Sequence, residues 1–299
     1  MINESKMGPW LVTMAAMLWA VDAPFRKFLT QDLPSSTIVL MEHILIVGLV
    51  LLFLGKYLKE FKQLQTKEWL AAVFIGLGGS ALATIFFTQS FHYLNPTVAI
   101  LLQKLQPLIA IGLAAWILDE RPTKNFWLWG IVAIFGAYLV TFPGLKPTGL
   151  TLDANVLGVV LALAAAFFWG GSTVFGRLVL AKVSFQAMTA LRFISALVFL
   201  VLINLYEGSL NQVATASGKD WLFVGIIAIL AGFVSLMIYY MGLKSTKASI
   251  ATLCELAFPV AAVVVNWIFL DASLTAMQIV GTGILLFGIT RLTLVNQAK

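Results

Sequence analysis

The chain alternates long apolar stretches with short polar ones, ten times over. The apolar stretches fall near residues 9–28, 35–54, 69–87, 97–118, 126–142, 156–180, 185–205, 221–243, 250–270 and 277–294. Each approaches the ~20 residues that an α-helix needs to cross a bilayer. Residues 156–166, an unbroken run of Val, Leu, Gly and Ala, show none of the apolar–polar alternation of a transmembrane β-strand. The pattern predicts an all-α integral membrane protein with ten transmembrane helices and no room between them for a soluble domain.

Composition agrees and narrows the class. Hydrophobic residues make up 61% of the chain and charged residues 11%, with a mean hydropathy of +0.97. A soluble surface needs about 25% charge, so the outer surface must face lipid. The net charge of +6 reflects topology rather than a nucleic-acid partner. With the N-terminus in the cytoplasm, thirteen of the 19 Lys and Arg fall on the cytoplasmic side, as the positive-inside rule requires. Arg26, Lys27, Lys146 and Lys219 fall on the other side, and Lys104 and Arg192 within spans. Both termini are expected in the cytoplasm, in a multi-pass protein of the plasma (inner) membrane. The first stretch lacks a small-residue cleavage site and is read as a span, not a signal peptide. Cys254 is the only cysteine, which leaves no intrachain disulfide and no cysteine metal cage.

The sequence also repeats itself. At an offset of 150 residues, Ala15-Ala-Met-Leu-Trp19 falls on Ala165-Ala-Phe-Phe-Trp169, and Phe25 on Phe175. At 152, Trp69 meets Trp221, Pro107 meets Pro259, and Phe135-Gly136 meets Phe287-Gly288. The halves, 8–142 and 156–294, carry five spans each. Five is odd, so the second half enters the membrane from the opposite side. Inverted repeats of this kind give two pseudo-equivalent conformations, each open to one side.

These features resemble the drug/metabolite transporter superfamily, and within it the ten-helix transporters with two EamA domains. The resemblance rests on the Ala-Ala-x-x-Trp opening of spans one and six, and on the mid-membrane proline of span four. The turn Leu118-Asp-Glu-Arg-Pro122 and the Gly-containing span that closes each repeat complete it. Two departures stand out: Leu270-Asp-Ala-Ser-Leu has lost the Glu and Pro, and Glu42-His43 replaces an Arg-Phe pair that the second half keeps as Arg192-Phe193. The resemblance implies export of amino acids or other metabolites through a cavity lined by spans 1, 3, 4, 6, 8 and 9.

Ionisable residues inside spans are costly and face a cavity or one another. Glu42 and Lys104 each lie seven residues into spans that start on the outer side, about 10 Å deep at 1.5 Å per residue. They are expected to meet, as are Arg192 and Glu255 on the inner side. These four are the candidates for ion pairs or proton coupling; permanent structural ties explain them equally well. Asp22 stands four residues before Arg26, the spacing of a local helical pair. Gln103, Lys104, Gln106 and Pro107 share one face of span four, and Thr252, Glu255, Pro259 and Asn266 repeat that face on span nine. Pro107 and Pro259 are helix breaks, each leaving a backbone carbonyl without its donor. Trp19, Trp169, Phe87 and Tyr239 are expected to form aromatic walls, alongside Phe86 and Tyr240, and to bind substrate with Gln103, Gln106 and Glu255. Ordinary packing is the competing reading for any one of these rings. His92 is read as a hydrated outer histidine.

Enzyme classes find no support. Walker A, His-Glu-x-x-His and Gly-x-Ser-x-Gly patterns are missing, and two histidines make poor metal ligands. No metal and no cofactor is expected; the partners are a small-molecule substrate and the bilayer. The favoured function is secondary active transport, by export of amino acids or similar metabolites through alternating access. The alternative is efflux of hydrophobic cations by proton antiport, which needs an unpaired carboxylate such as Asp22 or Glu42. A channel or scaffold is the remaining class. Ten spans can enclose a cavity within one chain, so a monomer suffices, with a weak homodimer as the other state.

Overall fold

The computed structural model describes residues 4–117, 125–142, 144, 154–180, 182–244, 254 and 257–297. Among these the chain is helical, and the helices follow the ten apolar stretches. Segment 1 comprises Glu4–Trp19 and Asp22–Leu29, segment 2 Ser35–Leu54, and segment 3 Thr66–Ser90. Segment 4 comprises Pro96–Gln103 and Gln106–Ile117, and segment 5 is Phe126–Thr141. Segments 6 and 7 are Ala154–Leu180 and Phe185–Glu207. Segment 8 runs from Gly218 to Lys244 in three pieces, segment 9 is Ala257–Leu270 and segment 10 is Ala276–Gln297. Five helices are long and apolar enough to cross a membrane by length and composition, and three more are shorter and apolar. The outward surface carries Trp10, Leu52, Trp116, Trp127 and Ile131, each more than 60% exposed. An apolar exterior of this kind is what lipid, not water, solvates.

Local chemistry sets where the helices break. Pro24 has no N–H for the carbonyl of Ala20, four residues before it, and segment 1 breaks there. Ala20 and Val21 close the preceding helix with tight bonds to Met17 and Leu18, both 3.1 Å. Pro107 does the same in segment 4, where Lys104 and Leu105 bond back to Leu101 and Leu102 at 3.0 Å. Asn95 caps segment 4 by accepting from the Thr97 N–H at 2.8 Å. Gly208, at φ 68°, closes segment 7 in the left-handed region that suits glycine.

Features recur at the offsets found in the sequence. Segment 3 contains a π-helical stretch at Ile75–Leu82, and segment 8 contains one at Ile227–Val234, 152 residues later. Both segments begin with a carboxylate that caps its own helix: Glu68 accepts from the Gln65 N–H and Asp220 from the Ser217 N–H, each at 2.9 Å. Repeat-related segments also pack antiparallel on each other. In segments 2 and 7, Thr37 donates to Asn204 at 3.0 Å, and His43 meets Phe193 with ring centroids 5.3 Å apart.

Segments 5 and 10 approach backbone to backbone. A Cβ on Gly136 would strike the Leu285 backbone, with Cα at 2.7 Å, and one on Gly288 would come within 2.8 Å of the Ala133 nitrogen. Ala133 and Leu285 are 152 apart, as are the two glycines, so the two contacts mirror each other. Segments 3 and 6 zip antiparallel, from Phe74–Phe175 at 4.7 Å to Phe87–Trp169 at 5.2 Å. The main core cluster joins Phe87, Phe91, Ile100, Leu101, Leu102 and Phe258.

Candidate functional site

The two tryptophans predicted to line the passage occupy mirrored settings. Trp19 lies 5.4 Å from Tyr239, and Trp169 lies 5.2 Å from Phe87. Each pair joins the first segment of one half to the third segment of the other. Trp19 also meets Phe258 edge-on at 6.2 Å, and the Lys104 ammonium stands 4.5 Å over that same ring. The chain Tyr239–Trp19–Phe258–Lys104 therefore runs without a gap from segment 8 to the break in segment 4. On the other flank, the Gln106 carbonyl faces Gly170, next to Trp169, at 3.3 Å from where a Cβ would stand. Phe86 packs on Phe168 at 6.1 Å. The broken helix of segment 4 thus meets the Phe258 ring, on which Trp19 packs, and the backbone of segment 6 beside Trp169.

At that break the Gln103 side-chain amide donates to Gln106 Oε1 at 3.1 Å. Gln103 Oε1 is buried and takes no bond. Pro107 sits in the first turn of the second helix and offers no N–H to the Gln103 carbonyl. Pro259 is buried near the start of the described part of segment 9. Glu255 lies outside the described residues, and so does the side chain of Tyr240. Asn266 donates to Thr97 at 3.0 Å, which ties segment 9 to segment 4.

The charged residues pair differently from the depth argument. Glu42 meets Arg26, not Lys104: Arg26 Nη2 is 2.9 Å from Glu42 Oε2 and 2.8 Å from Asp22 Oδ1. Arg26 Nη1 also donates to Thr88 at 2.9 Å. Arg26, placed on the outer side by its sequence position, is in fact 3% exposed. Two carboxylates and a hydroxyl compensate the loss of water around its guanidinium. Its depth was readable, because the apolar stretch 9–28 already contains it. Depth along a helix says nothing of direction around it, and the break before Asp22 turns Arg26 toward segments 2 and 3. Lys27, next in sequence, donates to the Phe91 carbonyl.

Arg192 takes another kind of partner. Its Nε donates to Ser80 Oγ at 2.5 Å and its Nη2 to the Gly79 carbonyl at 3.1 Å, both in the π-helical stretch of segment 3. Such stretches loosen the regular backbone ladder and are common at functional sites. The small residues there set the approach: a Cβ on Gly78 would come within 2.8 Å of Phe168, and Gly79 abuts Ser172. Gly76 faces Ser195, while Ser80 receives the arginine. Phe258, Thr88 and the two π-helical stretches were not singled out by sequence.

Known proteins decide what class of machine this is. A model of the EamA-like transporter family matches residues 6–142 and, a second time, residues 156–294. The chain belongs to the EamA-like transporter family. It is therefore a multi-pass membrane transporter and consistent with the drug/metabolite transporter superfamily. Among its relatives is the riboflavin transporter ImpX of Fusobacterium nucleatum, 30% identical over 97% of this chain and 98% of that protein. An uncharacterised transporter of Archaeoglobus fulgidus is 24% identical over 95% of this chain and 98% of its own length. A solved crystal structure superposes on this EamA-like chain with a TM-score of 0.66, at 19% identity and 98% coverage of both chains. That likeness concerns the fold.

Proposed function

We propose that this EamA-like protein moves a flat heteroaromatic solute of the riboflavin kind across the plasma membrane by alternating access between two inverted halves. The observation that carries the reading is the mirrored pair of aromatic contacts, Trp19–Tyr239 and Trp169–Phe87. Rings in such pairs favour offset or edge contacts with another ring, and each contact contributes about 0.5–1.5 kcal/mol beyond area burial. A tricyclic ring system can use both. The relative that transports riboflavin supports the same substrate class. Amino acids, the expectation from sequence, offer these rings little to stack on. Efflux of hydrophobic cations required a free carboxylate, and Asp22 and Glu42 are both engaged by Arg26.

Coupling to protons belongs to the same proposal. Asp22 and Glu42 share one guanidinium, so one of the two carboxylates is the natural place for a proton to enter. The test is uptake of labelled riboflavin into proteoliposomes, with and without a pH gradient. Gradient-driven accumulation is expected in the unmodified protein. Glu42→Gln should lose accumulation while keeping exchange of internal for external riboflavin. Movement of labelled amino acids without riboflavin would sink the substrate reading; unchanged accumulation by the variant would sink the coupling.

A further inference from the structure

The broken fourth segment holds a polar group with nothing to bind. Gln103 Oε1 is buried and takes no hydrogen bond, although a facing amide lies 3.1 Å from its own nitrogen. Two side-chain amides can pair through two bonds; Gln103 and Gln106 make one. A buried acceptor left unpaired costs far more than a pair gains in water. A resident protein group that wanted only stability would have closed the second bond or become apolar. The unpaired acceptor also sits in a helix break, beside Lys104, whose ammonium stands over the Phe258 ring that Trp19 packs on.

We infer that Gln103 and Gln106 read the edge of the transported ring, with Gln103 accepting an N–H and Gln106 donating to the carbonyl beside it. The chemistry that fits is a cyclic amide or imide edge on a flat ring. An isoalloxazine presents such an edge at N3–H, between two carbonyls. The inference rests on the substrate reading above and adds to it the side of the ring that is recognised and the residues that recognise it. Stacking on Trp19 and Trp169 holds the faces and does not distinguish one flat ring from another. The amide pair does. An acceptor built to receive an N–H rejects a ligand that lacks one, because the acceptor is then buried unpaired again.

The experiment compares riboflavin with N3-methylriboflavin, which carries a methyl group in place of that hydrogen. Competition for uptake and equilibrium binding are measured on the full chain in proteoliposomes. The unmodified protein is expected to prefer riboflavin by about ten- to a hundredfold, the size of one unpaired buried acceptor. Gln103→Leu should weaken riboflavin and leave the methylated ring nearly unchanged, collapsing the preference. Gln103→Glu keeps the acceptor and should keep most of the preference. Trp19→Ala should weaken both rings alike. Equal binding of the two flavins by the unmodified protein overturns the inference while leaving riboflavin as the substrate, and needs no variant to fold. Binding of neither overturns the substrate reading and this inference together.

Discussion

Glu42 and Arg192 stand 150 residues apart in equivalent places of the two halves, carry opposite charges, and are held in different ways. Glu42 is one arm of an ion cluster around Arg26, on the short helix Asp22–Leu29 that Pro24 splits from the rest of segment 1. The equivalent stretch of segment 6 has Ser172, Val174 and Gly176 where segment 1 has Asp22, Pro24 and Arg26, and its helix runs unbroken over Ala154–Leu180. Segment 6 thus offers no counterpart of the Arg26 cluster, and Arg192 donates to Ser80 Oγ and to the Gly79 carbonyl of segment 3. The halves kept their packing pattern while the charges, and the helix break at Pro24, diverged. Glu42 sits in an ion cluster, and Arg192 donates to oxygens of a π-helical stretch. A transporter with two mirrored halves can in this way make its two end states unequal in energy.

Removing the Arg26 cation should therefore be costly, and the loss at Arg192 measures how the second half compares. Arg26→Met leaves Asp22 and Glu42 buried without a counter-charge, a loss of about 3–5 kcal/mol. Against a total stability of about 5–15 kcal/mol, that predicts a steep fall in thermal midpoint in detergent. Part of it should return in the Arg26→Met, Glu42→Gln double variant, which buries one charge fewer. Arg192→Met takes donors from the Ser80 hydroxyl and the Gly79 carbonyl, a loss of about 1–3 kcal/mol from these two bonds. An equal or larger loss at Arg192 would show that the second half hides an ionic cluster of its own weight.

How much of this was legible in the sequence follows from which physical signal each feature leaves. Helices leave length and hydropathy, and the longer described helices lie on predicted stretches, whereas the short helices Leu58–Phe61 and Asn211–Thr215 fall between them. The repeat leaves matched residues, and the mirrored Trp19 and Trp169 contacts followed from it. Pairing leaves neither. Seven residues of rise put Glu42 and Lys104 at one depth, yet Glu42 turns to Arg26 and Lys104 lies over Phe258. The π-helical stretches leave only a hint, the glycines at 76, 78 and 79, because their geometry is set by what packs against them. Glu255, the predicted partner of Arg192, lies outside the described residues, so that pairing stays a proposal.

The packing of segments 5 and 10 offers the control in which the halves should behave alike. Gly136→Ala drives a methyl group into the Leu285 backbone, and Gly288→Ala drives one into that of Ala133. Neither neighbour can rotate away, so each substitution should cost about 1–3 kcal/mol as overpacking. The two losses should agree closely, since the contacts are related by the repeat. Gly48, with open space around its missing Cβ, should tolerate alanine or gain the few tenths to ~1 kcal/mol by which alanine favours a helix. Thermal midpoints of the three variants measure this. A large difference between Gly136→Ala and Gly288→Ala would mean that the asymmetry reaches the scaffold as well as the charges.

The smallest effect expected is a pH slope at His92, between segments 3 and 4. Partial burial, and then the charge of nearby Lys27, hold its pKa below the ordinary value of 6.5. The unfolded chain thus binds the proton more readily than the folded one, and stability rises with pH where their protonation differs. As pH falls from 7.5 toward 5, the midpoint should drop gently, beginning near the ordinary histidine pKa and levelling once His92 is protonated in both states. His92→Gln should flatten that part of the curve, and Lys27→Met should shrink it, with levelling at a higher pH, by removing the neighbouring charge. If the slope survives His92→Gln and disappears in Glu42→Gln, the pH sensitivity of this end belongs to the Arg26 cluster alone, which would sharpen the contrast with the half that holds Arg192.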